Sequence, residues 1–246
     1  MHRIICCAAL VALLGSGRLE ANVIVTDAYH DANVYDGFTG LASDQYTTST
    51  APSLNADLFP SISDGSARTQ LNRTATALDV VLTHQRPSSL YSFAQSSGWD
   101  TFRVDVPTPY TISGRYSMTG AGTISLAAQL YDVTSDAYLF RNGQQSIKTS
   151  ALPNQLFRLG SKAGDYSYRE GFLTGTLQPG DEYQFAYDAY INNYPDDFGS
   201  ASASGHISLS FTSSLPEPST LTTLITSSVV GALGMVISRW RRRRAA

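Results

Sequence analysis

Apolar and polar residues alternate with a period of two through the middle of this chain, and that pattern constrains its fold most. From Tyr110 to Met118, the residues Tyr110, Ile112, Gly114, Tyr116 and Met118 share one face. Ile124, Leu126, Ala128 and Leu130 do the same between Thr123 and Tyr131. Successive strand side chains point to opposite sides, so each run is apolar on one face and wet on the other. Further runs are Asn22 to Tyr29, Leu78 to Thr83, Thr101 to Val106 and Ala137 to Phe140. Gly171 to Leu177, Glu182 to Ile191 and Ser204 to Thr212 complete the set. Between them lie turn formers: Pro107, Thr119-Gly120-Ala121-Gly122, Arg141-Asn142-Gly143 and Gln178-Pro179-Gly180-Asp181. No convincing helix interrupts them. The pattern predicts an all-β body, an antiparallel sandwich or jelly roll. Residues 39–76 are rich in Ser, Thr, Ala and Asn, with Pro52 and Pro60, and read as a long loop or a pair of poor edge strands.

Leu177 to Phe185 places a Pro-Gly turn between two strands. It resembles the penultimate hairpin of many secreted β-sandwich modules, a likeness of turn chemistry that implies fold only. No repeat is visible, so residues 22–215 are expected to form one domain of 194 residues.

The two ends read differently from the middle. Residues 1–21 have the layout of a secretory signal: His2 and Arg3, then an apolar run from Ile4 to Leu14, then small residues. Ala21 suits the last position before a cut. Cys6 and Cys7 lie inside the apolar run, too early for a lipidated N-terminus. They are the only cysteines, so the mature chain would carry none, which suits an oxidising exterior.

At the other end stands Pro216-Glu217-Pro218, followed by 17 uncharged residues from Leu221 to Ile237. Arg239, Trp240 and Arg241, Arg242, Arg243 and Arg244 come next. At about 1.5 Å per residue the uncharged stretch reaches roughly 25 Å, and roughly 30 Å if extended to Trp240, just enough to span a bilayer. A transmembrane helix is expected over 219–238, with a basic tail over 239–246. Trp240 suits the interface, and the arginines suit the cytoplasmic side as a stop-transfer signal. Pro218 can open the helix at its first turn, leaving the motif as an extended segment ahead of the span.

Motif, span and arginine cluster, in that order over residues 215–246, resemble the PEP-CTERM sorting signal of Gram-negative bacteria. The resemblance implies an integral-membrane exosortase that reads Pro216-Glu217-Pro218 and processes the chain near it. It also implies association with exopolysaccharide and biofilm matrix. Leu215-Pro216-Glu217 matches the first three positions of the LPxTG signal of Gram-positive sortases. Pro218-Ser219 then stands where Thr-Gly is required, which removes the bond such a sortase cuts.

Charge narrows the partners of the body. Residues 22–215 hold 10 Lys and Arg against 18 Asp and Glu, a net charge near −8. Such a surface repels polyanions, which argues against nucleic acid and against an anionic polysaccharide without a bridging cation. No Gly-x-Ser-x-Gly, Gly-x-Gly-x-x-Gly, P-loop or His-Glu-x-x-His motif is present. His30, His84 and His206 are scattered and read as satisfied or exposed side chains. Asp27, Asp31, Asn33 and Asp36-Gly37 are as dense as a calcium loop, but Tyr35 falls where an EF-hand ligand belongs, so they read as turn aspartates. Asp196-Asp197 after Tyr194-Pro195 carries the same ambiguity. Tyr166, Tyr168, Tyr183, Tyr187, Tyr190 and Tyr194 are either half-buried cross-strand residues or platforms for sugar rings. Trp99 belongs to the core or its rim. The sequence therefore predicts a non-enzymatic envelope or matrix protein without cofactor or metal, its body exported and its precursor anchored in the inner membrane. A carbohydrate-binding module is the alternative, and a secreted hydrolase the third reading.

Overall fold

The alternating runs become strands, and the strands form two antiparallel sheets. The structure, a computed structural model, describes residues 22–48, 53–62, 64–88, 91–120, 122–145, 155–159, 166–192 and 201–212. All of these lie in one compact unit, Ala21–Ser213. In chain order the first strands are β1 Val23–Asp36, β2 Gly40–Thr48, β3 Leu54–Leu58, β4 Ser61–Ile62 and β5 Gly65–Thr74. Next come β6 Ala77–Arg86, β7 Phe93–Val104, β8 Thr108–Gly120, β9 Thr123–Asp132 and β10 Ala137–Gln145. The last are β11 Gln155–Arg158, β12 Tyr166–Gly171, β13 Thr174–Leu177, β14 Glu182–Asn192 and β15 Ala201–Phe211. Among the described residues there is no helix, and so none long and apolar enough to cross a membrane.

One sheet has seven strands in the order β12-β10-β9-β14-β7-β1-β2. The other runs β11-β8-β15-β6-β5-β3, with β13 paired to β8 and β4 to β5. The apolar positions of both sheets face one another and form a shared sandwich-like core, from Phe102, Leu126, Leu130, Phe140 and Phe185 on one side to Ile112, Tyr116, Leu82, Ile207 and Leu209 on the other. The two faces identified on Tyr110–Met118 and Thr123–Tyr131 both point into it.

Two bulges set which residues face outward. In β1 the register slips between Val25 and Asp27 against β7. Thr26 absorbs the extra residue, and its hydroxyl donates to Thr101 O at 3.1 Å. Val23 and Val25 point inward before the slip, and Ala28, His30, Ala32 and Val34 after it. A one-residue slip exchanges the two faces of a strand, so the bulge is what sends Asp27, Tyr29, Asp31 and Asn33 outward. A second slip, between Tyr138 and Phe140, puts Tyr138 outside while Phe140 stays buried.

Several boundaries differ from the sequence reading. Residues 39–76 hold β2, β3, β4 and β5, and β5 lies inside its sheet between β3 and β6. Thr119-Gly120-Ala121-Gly122 does not close a hairpin, because β8 and β9 belong to opposite sheets. The same holds for Pro179-Gly180: β13 lies in one sheet and β14 in the other. Gly180 still makes the turn with φ +93°, a backbone region that favours glycine. Both segments join runs whose apolar faces meet across the core, and periodicity cannot distinguish that from pairing side by side. Asn142-Gly143 is not a turn, since both residues pair with β9 and β12. The expected strand Gly171 to Leu177 is split, Gly171 ending β12 and β13 beginning at Thr174.

Candidate functional site

The sorting residues Pro216, Glu217 and Pro218 and the arginines Arg239, Arg241, Arg242, Arg243 and Arg244 lie outside the described residues, as do residues 1–21. Tyr194, Asp196 and Asp197 lie outside them too. Among the described residues of the β body, polar side chains gather in two places.

The first is the interior. The core is not purely apolar: His30, Thr69, Arg73, His84, Ser96 and Asp100 are all buried between the sheets. Arg73 of β5 pairs with Asp100 of β7, which joins the two sheets. His30 Nε2 lies 3.4 Å from Asp100 Oδ2, and its Nδ1 lies 3.2 Å from the Tyr187 hydroxyl. Burial, reinforced by the positive charge of Arg73, lowers the His30 pKa to about 3. The ring is then neutral at pH 7, so its contact with Asp100 is a polar contact rather than an ion pair. Its Nδ1 shares a hydrogen bond with the Tyr187 hydroxyl. Room for the ring comes from Gly98, where a Cβ would stand 2.3 Å from His30 Nδ1.

Beside it, Thr69 donates to Ser96, Ser96 Oγ lies 2.7 Å from His84 Nε2, and His84 Nδ1 bonds the Tyr116 hydroxyl. Burial alone lowers the His84 pKa to about 3. A serine on an imidazole is a nucleophile pair when a substrate can reach it. Ser96 and His84 are each 0% exposed, so the pair ties the sheets together and meets no substrate. His30 and His84 are thus satisfied core histidines. His206 is partly exposed, 3.4 Å from Asp79.

The second place is the outward face of the seven-stranded sheet. Register aligns its side chains in cross-strand rows. One row runs Tyr29, Trp99, Ala186, Gln129, Arg141. The next rows on either side are Asp31, Ser97, Asp188, Ala127 and Asp27, Thr101, Gln184, Tyr131, Tyr138. Trp99 and Tyr131 are half-buried and Tyr138 is exposed. The alanines are the low points. Ala127, Gln129, Ala186 and Asp188 line a depression of about 170 Å³ over the seam between β9 and β14.

Polar groups around the depression hold one another. Gln95 Nε2 donates to Asp188 Oδ1 at 2.8 Å, Asn33 Nδ2 donates to Asp31 Oδ2 at 2.8 Å, and Ser97 donates to Asp31. Burial raises the Asp188 pKa, the Gln95 bond works against that, and the charge of Asp31 adds to it. The Arg141 guanidinium lies over the Tyr138 ring, 4.9 Å from its centre, and Tyr138 packs on Tyr131 at 5.0 Å.

This geometry revises two readings. Asp27, Asp31 and Asn33 are neither a calcium loop nor turn caps, because they alternate outward along β1. Of the four residues singled out in that segment, Asp36 caps a turn, accepting from Phe38 N at 2.9 Å. Among the described residues no group of three His, Cys, Asp or Glu is placed to hold a metal ion. Of the tyrosines singled out, Tyr183 and Tyr187 are core residues and Tyr190 is half-buried. Tyr29, Tyr131, Tyr138, Gln129, Gln184 and Asp188 went unnoticed in the sequence. The polar positions of runs already identified from their apolar positions were the signal for Tyr131, Gln129, Gln184 and Asp188.

No family model matches the chain, and no curated protein matches it. Among solved structures, one of infectious bursal disease virus, Gx strain, is 11% identical with a TM-score of 0.24, covering 80% of this chain and 56% of that one. One of the Gt strain is 10% identical with a TM-score of 0.16, covering 87% and 72%. The chain thus spans little more than half the length of the first. Neither likeness reaches the level at which two chains share a fold.

Proposed function

We propose that this chain is an exported structural or adhesive protein of the cell envelope or extracellular matrix. Its tail holds the precursor in the inner membrane until an exosortase-like enzyme processes it, and the released body associates with exopolysaccharide. The observation that carries this reading is the tail itself: Pro216-Glu217-Pro218, an uncharged stretch from Leu221 to Ile237, then Arg239 and Arg241 to Arg244. Moving five arginines through hydrocarbon is costly, so they stop transfer and leave the body outside. Pro216-Glu217-Pro218 contributes no apolar residue to the span, so recognition and anchoring are separable.

Among the described residues the Ser96–His84 pair is closed to solvent, and the body's net charge near −8 disfavours nucleic acid. The test is the mass of envelope-associated protein from a host that has the sorting enzyme. Shortening near Pro218 is expected, and changing Pro216, Glu217 and Pro218 to alanine should block it while the span stays inserted. Wild-type protein with its tail intact through Ala246 refutes processing.

A further inference from the structure

We infer that the outward face of the seven-stranded sheet binds an uncharged polysaccharide, seated along the β9–β14 seam between Trp99 and Tyr131. The inference rests on the matrix reading and names the surface that would do the associating. Four observations on this face converge.

The first is shape. Ala127 and Ala186 sink the floor of a depression of about 170 Å³. Trp99 stands at the register position beside Ala186 on β7, and Tyr131 lies on β9. These rings are two strands apart, roughly 10 Å across the sheet. The second is ring chemistry. A sugar ring presents C–H groups on its faces, and an aromatic face carries the negative part of its quadrupole. Rings at register positions next to a shallow floor therefore attract a sugar and add apolar contact. The third is the polar set. Sugar hydroxyls both donate and accept, and Gln129 and Gln184 each offer a donor and an acceptor. Asp188 accepts, and Gln95 fixes its position at 2.8 Å.

The fourth is charge, which selects the class of glycan. Asp27, Asp31 and Asp188 stand in the rows through and beside the floor. Of the outward arginines there, Arg141 lies over Tyr138 and Arg103 pairs with Glu182 at 3.2 Å. A polyanion would meet carboxylates, whereas a neutral chain meets hydrogen-bond acceptors.

The test uses the full-length protein in mild detergent with five probes: neutral hexasaccharides from cellulose, xylan, mannan and a β-1,3-glucan, and an alginate hexasaccharide. Binding is read by titration calorimetry. At least one neutral probe is expected to bind, and alginate without added divalent cation is not. Trp99→Ala should weaken the neutral probe about tenfold or more. Ala186→Trp fills the floor without opening a cavity and should abolish binding, with an unchanged melting temperature. This second variant keeps the test valid if Trp99→Ala unfolds. No binding to any neutral probe, alginate binding as tight as the neutral probes, or full binding by Ala186→Trp each overturns the inference. So does a dimer that Trp99→Ala turns into a monomer, which would make the face a contact between copies. Glycan binding does not depend on tail cleavage, so its failure and the failure of the sorting reading are separate results.

Discussion

The two broad faces of the body come from the same alternation yet differ in what they offer a partner. Outside the seven-stranded sheet stand Tyr29, Trp99, Tyr131 and Tyr138 among amides and carboxylates. Outside the eight-stranded sheet the central strands β8 and β15 carry Ser117, Thr119, Ser202 and Ser204. That face has a depression too, of about 220 Å³, lined by Thr83, Ser117, Thr119, Ser202 and Ser204 with Met118 and Ala203. Its hydroxyls turn back on their own sheet. Ser117 donates to Ser204 O at 3.3 Å, Ser210 donates to Thr111 O at 3.2 Å, and Thr119 and Ser202 share a bond at 3.1 Å. A depression of similar size is therefore not an equivalent site. One has Trp99 at the register position beside its floor and Gln129 in its lining, whereas in the other Ser117 and Thr119 already bond the neighbouring strand.

Both faces ride on one interior, and the largest expected effect breaks them together. Asp100→Ala leaves Arg73 buried without its carboxylate, which should destabilise the body by about 3–5 kcal/mol. Chemical denaturation measures this, and a loss well under that range would mean that another partner or water compensates Arg73. Acid acts on the same seam. In the folded state His30 and His84 stay neutral down to about pH 3. The unfolded chain takes up those protons near pH 6.5. Their contribution is therefore complete above about pH 6.5 and falls as pH drops towards 3. Each histidine adds up to about 1.4 kcal/mol per pH unit to that slope. His84→Gln should flatten the curve, and a melting temperature constant from about pH 7 to about pH 4 would contradict the buried-neutral reading.

A smaller effect sharpens the contrast between faces. Ser204→Trp adds a ring to the hydroxyl face without amides around it, and should leave affinity for a neutral hexasaccharide within about twofold. Binding at that face gained with the ring alone would show that aromatic surface suffices. The smallest effect is expected at Arg68, whose pair with Asp57 spans 2.6 Å in solvent on the hydroxyl face. Exposed pairs contribute little, so Arg68→Gln should leave the melting temperature unchanged in high salt and in low salt alike.

Much of the fold was legible because alternation is a local consequence of burying one face. Ile112 and Leu126 declare their orientation through neighbours two residues away. By itself the sequence determined the β class, the inward positions of β8 and β9, the charge of the body, and the layout of the tail on which the sorting proposal rests. Tertiary structure decided the rest. Whether Gly120 and Gly180 close hairpins or carry the chain across the core depends on which strands meet. Those partners lie far away in sequence, as with β14 between β7 and β9. The bulge at Thr26 sends Tyr29 and Asp31 outward, and nothing in their own spacing announces it. Arg73, Asp100, Ser96 and His84 reach one another only when two sheets close face to face. Trp99, Ala186 and Gln129 become one row only when β7, β14 and β9 lie in register. A site made of cross-strand neighbours is written across three strands, so pairing must exist before the site can be read.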